Sequence, residues 1–190
     1  MKGFDILLKA YTSYNLDYWN PNKFNWEAEG WLLAEFCSEH FNIWWDPDKY
    51  NWNDSWALAE YCSEFFELWW DPNMFDWKNS WLLAKYCSEY FEIWWDPNKF
   101  DYYNINSLII YCNQYFDSWW NVDNFLVISF DNLLRLFEHC SKYFDIWFSE
   151  LLERQSKLSN DSKKLLKCVD IALNRPRKKG KIESTKIRDL

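Results

Sequence analysis

The sequence predicts an all-α protein: a right-handed α-solenoid of about five 25-residue helix-pair repeats closed by a C-terminal helical cap. Three observations lead there. Cysteines stand at Cys37, Cys62, Cys87 and Cys112 in steps of 25 residues, with Cys140 after a step of 28, and self-similarity at one fixed period marks a repeat architecture. Aromatic residues make up 23% of the 190 residues, with 16 Trp, 12 Tyr and 15 Phe, more than a conventional small core holds. Only 3 Gly and 5 Pro are present, too few for the turns that sandwiches and barrels require every several positions.

The middle copies show the unit most clearly, "NDSWALAEYCSEFFELWWDPNMFDW" at 53–77 and "KNSWLLAKYCSEYFEIWWDPNKFDY" at 78–102. The first copy carries one extra residue between Trp26 and Trp31. The fourth replaces Asp-Pro by Asn121-Val122, and the fifth keeps Cys140 and Trp147 but loses the Trp pair. Terminal units of a solenoid lack one neighbour, so drift there is expected. A single helix over Ser80–Trp95 would run roughly 24 Å, at 1.5 Å per residue, and the short connector after it could not return to the start of the next unit. Two short antiparallel helices per unit fit better, about Ser80–Cys87 and Glu89–Trp95, with Ser88 capping the second. Asp96 and Pro97 then read as the N-cap and first position of a further helical turn. Helices this short are unstable alone, and a large aromatic buries about 150 to 250 Å². The Trp pairs therefore read as the solenoid core.

The chain thus divides into three segments: an acidic Trp-rich array over 1–150, a helical cap over 151–174, and a basic tail over 175–190. Apolar spacing at Leu151, Leu152 and Leu158, then Leu165, Leu166, Val169, Ile171 and Leu173, supplies the amphipathic face of the cap. Charge divides the same way. Residues 1–150 carry 9 Lys+Arg against 24 Asp+Glu and residues 151–190 carry 12 against 5, within a net charge of −8. Such a body repels phosphates, and such a tail attracts them. The apolar run near the N-terminus is too short for a signal-peptide core, and no uncharged stretch reaches bilayer-spanning length. The expected location is cytoplasmic, with the repeat cysteines reduced and buried as small apolar side chains.

The pattern "WWDPxKFxW…SWxLAxYCSEYF" over residues 19–120 resembles short tryptophan-rich α-helical repeat proteins of bacterial and phage type. The resemblance implies a helical array and no activity.

Chemistry-bearing constellations are sparse. His40 and His139 occupy non-equivalent places, the cysteine spacing matches no zinc pattern, and three isolated glycines make no phosphate loop. No catalytic residue, metal site or cofactor is expected. The informative pattern is acidic. The first position of each second helix reads Glu39, Glu64, Glu89 and Gln114, and the position three later reads Asn42, Glu67, Glu92 and Asp117. Residues three apart share a helix face, so stacking would align Glu39, Glu64, Glu67, Glu89, Glu92 and Asp117 into a ridge suited to a partner with a basic surface. Arg175, Arg177, Lys178, Lys179 and Lys181 form the basic tail, a possible nucleic-acid contact. The sequence thus points to a non-enzymatic protein-binding module. Two alternatives are a phosphate-mimicking inhibitor of a nucleic-acid-processing enzyme, for example one of phage defence, and a nucleic-acid or glycan binder acting through the tail or exposed Trp.

Overall fold

The computed structural model describes residues 20–125, 129–154 and 158–174. Among these, every regular element is helical and the units repeat as the cysteine period predicts. The first helices of the five units are α1 (Trp26–Cys37), α3 (Ser55–Tyr61), α5 (Ser80–Tyr86), α7 (Ile105–Tyr111) and α9 (Phe130–His139). Each packs against the equivalent helix of the next unit, so they form one continuous row. The second helices are α2 (Phe41–Trp44), α4 (Phe66–Trp69), α6 (Phe91–Trp94), α8 (Phe116–Trp119) and α10 (Phe144–Glu153). After α10, α11 (Asn160–Asn174) packs on α9 and ends the row. Leu151, Leu158 and Leu166 are buried there, whereas Ile171 of the same apolar spacing is exposed.

Local geometry corrects several expectations. The first helix of unit three stops at Tyr86, and Cys87, with φ −118° and ψ 28°, makes the bend. A 3-10 turn over Ser88–Tyr90 comes next and then only one α-turn, in place of a continuous helix over Glu89–Trp95. Ser88 lies inside that turn and does not cap it; the residue at the cap position is Cys87, whose side chain makes no capping bond. The further turn opened by Asp96 and Pro97 is present as a single isolated turn, with Asp96 Oδ1 accepting from Asn98 N at 2.9 Å and its carbonyl from Phe100 N at 3.0 Å. A 3-10 turn over Tyr102–Asn104 then leads into α7, capped by Asp101, which accepts from Tyr103 N at 3.1 Å. In unit one the extra residue removes this lead-in turn: α1 absorbs it and grows to 12 residues.

Burial follows the Trp pair closely. The first member, Trp44, Trp69, Trp94 or Trp119, is completely enclosed, as is Trp147. Each donates its indole N–H to the carbonyl of the cysteine seven residues earlier, at 2.8 Å in units one to four and 3.0 Å in unit five. The second member is half-buried and stacks on the phenylalanine four residues before it. That phenylalanine is covered on its other side by a ring of the next unit, giving Trp95/Phe91/Tyr115 with centroids 5.2 and 4.5 Å apart. The same sandwich recurs as Trp45/Phe41/Phe65, Trp70/Phe66/Tyr90 and Trp120/Phe116/Tyr143. Offset aromatic pairs add about 0.5 to 1.5 kcal/mol beyond area burial, so each junction between units gains from rings on both sides.

Polar bonds also cross the junctions. The buried hydroxyls of Ser55 and Ser80 accept from Asp76 N and Asp101 N, the residues that cap the lead-in turns of the next first helices, both at 3.0 Å. Gly30 occupies the equivalent place in unit one and has no hydroxyl to offer. A Cβ built there would meet Tyr50 ring carbons at 3.6 and 3.7 Å and Asn51 N at 4.0 Å, ordinary contact distances.

Two stability changes are expected. Trp94→Phe keeps a ring but removes one donor from the Cys87 carbonyl and leaves a small void, and urea denaturation should register a loss of about 1 to 3 kcal/mol. Gly30→Ser restores the hydroxyl and improves helix propensity, so the same assay should show a gain of about 0.5 to 1.5 kcal/mol.

Candidate functional site

Each of the six ridge residues is exposed in the structure. Glu39, Glu64 and Glu89 sit in the 3-10 turns after the cysteines, and Glu67, Glu92 and Asp117 sit in α4, α6 and α8. Stacking brings the acids of adjacent units together. Tyr90 lies against Phe66 of the unit before it, with ring centroids 4.6 Å apart, and its phenol is held above the ordinary tyrosine range, first by burial and then by Glu89 and Glu67. Those two carboxylates, from different units, therefore act on one ring between them. Glu39 approaches His40 at 3.6 Å. Among the described residues, Glu64, Glu67, Glu89, Glu92 and Asp117 form no ion pair with lysine or arginine. Unit five ends the run, because Lys142 stands where the other units carry Glu or Gln, with its ammonium 5.1 Å from the Tyr143 ring centroid. The basic tail, Arg175, Arg177, Lys178, Lys179 and Lys181, lies outside the described residues.

The ridge has a second component that the sequence reading missed. In units one, two, three and five the residue before the enclosed tryptophan is an exposed aliphatic: Ile43 is 54% exposed, Leu68 59%, Ile93 56% and Ile146 45%. Ser118 interrupts the column in unit four. A single exposed leucine means little, but repetition at one structural position sets three exposed aliphatic side chains in register over units one to three. The signal that would have found it is the residue immediately before the enclosed tryptophan: in a helical turn starting at a buried Phe and ending at a buried Trp, the two residues between them point outward.

The cysteines supply no chemistry of this kind. Cys62, Cys87, Cys112 and Cys140 are wholly buried and Cys37 nearly so. Burial pushes the Cys37 thiol up to about 11 and the other four up to about 12. The thiols of units two to five donate instead to a carbonyl of the preceding unit, Cys62 to Ala34 at 3.8 Å, Cys87 to Ala59 at 3.7 Å, Cys112 to Ala84 at 3.6 Å and Cys140 to Ile109 at 3.9 Å. Cys168 is exposed on α11. Among the described residues no group of His, Cys, Asp and Glu could hold a metal ion, and no helix is long and apolar enough to cross a membrane.

No family model, curated protein or solved structure matches the chain. Its tryptophan-rich helical repeat is therefore described from its own geometry.

Thiolate is the reactive form of cysteine, so the native protein titrated with Ellman's reagent at neutral pH should release one equivalent quickly, from Cys168. The other five thiols should react only after denaturant opens the array.

Proposed function

We propose that this protein is a non-enzymatic binding module whose acidic and aliphatic ridge receives a basic, amphipathic segment of a partner protein. The observation that carries this reading is the pairing, in the adjacent units two and three, of a carboxylate free of any lysine or arginine with an exposed aliphatic side chain: Glu67 with Leu68, Glu92 with Ile93. Carboxylates alone would serve solubility. An apolar line beside them costs solubility unless something covers it, and a partner segment with lysines or arginines flanking apolar residues would meet both components. The same line favours a protein segment over the phosphate-mimicry reading, because a groove built for nucleic-acid phosphates has little use for an aliphatic stripe. Regular spacing along the array further suits an extended ligand, which gains one similar contact per unit.

The test is affinity capture from nuclease-treated host lysate, followed by binding measurements on the captured protein. One dominant partner is expected. Reversing Glu64, Glu67, Glu89 and Glu92 to Lys should weaken it by about tenfold or more at low salt. Leu68→Asn with Ile93→Asn should weaken it at both low and high salt, since apolar burial is not screened. Unchanged affinity in both variants would show that the ridge is not the binding surface.

A further inference from the structure

One feature of the sequence lies outside the ridge reading: the basic tail over residues 175–190. It carries seven Lys and Arg against two acidic residues, Glu183 and Asp189. Two of its aliphatic side chains stand beside cations, Ile182 after Lys181 and Ile187 between Lys186 and Arg188. Cations flanking aliphatic side chains are the chemistry that the ridge asks of a partner.

The ridge, for its part, is an unpartnered helix face. Ile43, Leu68 and Ile93 are each more than half exposed. Glu64, Glu67, Glu89 and Glu92 meet no lysine or arginine among the described residues. Three lysines of the array are engaged away from these acids: Lys49 with Asp46 at 2.7 Å, Lys85 with Tyr86 Oη at 2.7 Å and Lys99 with the Pro72 carbonyl at 3.1 Å. The densest positive charge in the chain is therefore the tail, and the charges of tail and ridge are complementary.

Length permits the meeting. The tail follows Asn174, the last residue of α11, which packs on α9 one step beyond unit five. At about 9 Å per packed helix, unit three lies about 27 Å back along the row and unit two about 36 Å. An extended chain of about 3.3 Å per residue carries Ile182 up to about 26 Å from Asn174 and Ile187 up to about 43 Å. The isoleucines thus have the reach for units two and three, where Leu68 and Ile93 each stand next to a carboxylate. Tethering favours the chain's own tail over that of a second copy, because a linked segment acts at an effective concentration of about a millimolar.

We infer that the tail of the same chain, through Lys181, Ile182, Lys186, Ile187 and Arg188, lies on the acidic and aliphatic ridge of units two and three, so that a partner's segment enters by displacing it. The inference rests on the ridge being a surface for basic, amphipathic segments, and it adds that the first such segment is the protein's own.

The experiment uses the full chain with Cys168→Ser and Ser184→Cys, so that a nitroxide attaches at residue 184 while the five buried thiols stay unlabelled. Methyl NMR reads the paramagnetic broadening. At low salt the Leu68 and Ile93 methyls should broaden, and the effect should fall at least twofold when salt is raised to about 1 M. Reversing Glu64, Glu67, Glu89 and Glu92 to Lys should abolish it, as should Lys181→Gln with Lys186→Gln and Arg188→Gln. An isotope-labelled chain without nitroxide, mixed with a nitroxide-bearing chain without isotope, should show none. Absent broadening at low salt, broadening that survives either set of substitutions, or equal broadening in the mixed sample would overturn the inference. A partner whose affinity depends on the ridge in a chain that shows no broadening would leave the proposed function standing and remove only the tail. Broadening in a chain whose ridge substitutions leave the partner's affinity unchanged would do the reverse.

Discussion

One hydrogen bond organises each unit: the indole N–H of the enclosed tryptophan to the carbonyl of the cysteine seven residues before it. The chain turns sharply at that cysteine, and the indole ties the second helix back to the carbonyl at the buried bend, where a second acceptor lone pair would otherwise go unused. In units two to five the cysteine carbonyl accepts both this indole and the backbone N–H three residues on, for example Trp94 Nε1 at 2.8 Å and Tyr90 N at 3.0 Å on Cys87. Tryptophan suits the task because it carries a large apolar area and one donor on the same rigid ring. Phenylalanine offers only the area. The repetition of so large a residue is thus a consequence of the bend, and the bend is what lets helices of seven and four residues share one layer pair.

Between units the logic is additive. Each junction has a three-ring sandwich and a thiol to carbonyl contact, and the junctions of units two and three with the units after them also have a serine hydroxyl receiving the next unit's backbone. None of these contacts spans more than one neighbour, so the array is stabilised as a chain of similar interfaces. The serine is missing at the other two junctions. Unit one lacks the serine at Gly30, and Ile105 replaces it in unit four. Cysteine is favoured at the bend because it is small, apolar and a weak donor, and its burial keeps the thiol protonated.

The period, the all-helical class, the enclosure of the first Trp of each pair and the closing helix could all be read from residue spacing, whereas the half-burial of the second Trp could not. What escaped was finer than the repeat. The 3-10 turns at Ser88–Tyr90 and Tyr102–Asn104 are each three residues long, below the length at which a helical period can be recognised. Ser88 looked like a cap because serine usually caps helices, yet here Cys87 already occupies the bend. The acidic half of the ridge was legible because charges declare exposure. Its aliphatic half was not, since Ile93 sits one residue from Trp94 and a single helical turn separates a buried from an exposed apolar residue only by geometry.

Inside the array the units are nearly interchangeable, and this divides the surface into two kinds. The ridge on the second helices repeats with little change from Glu67 and Leu68 to Glu92 and Ile93, so it presents the same chemistry over these two units. The outer face of the first helices does the opposite. There the sequence runs Trp56, Trp81, Asn106 at one place, Asn53, Lys78, Tyr103 at another and Glu60, Lys85, Ile110 at a third. Some of these side chains also bond between units, Glu60 accepting from Tyr86 and Asn106 from Asn132, so the differences there are matched by the neighbouring unit. The first helices thus carry the differences between units on their outer positions, while the second helices carry their likeness.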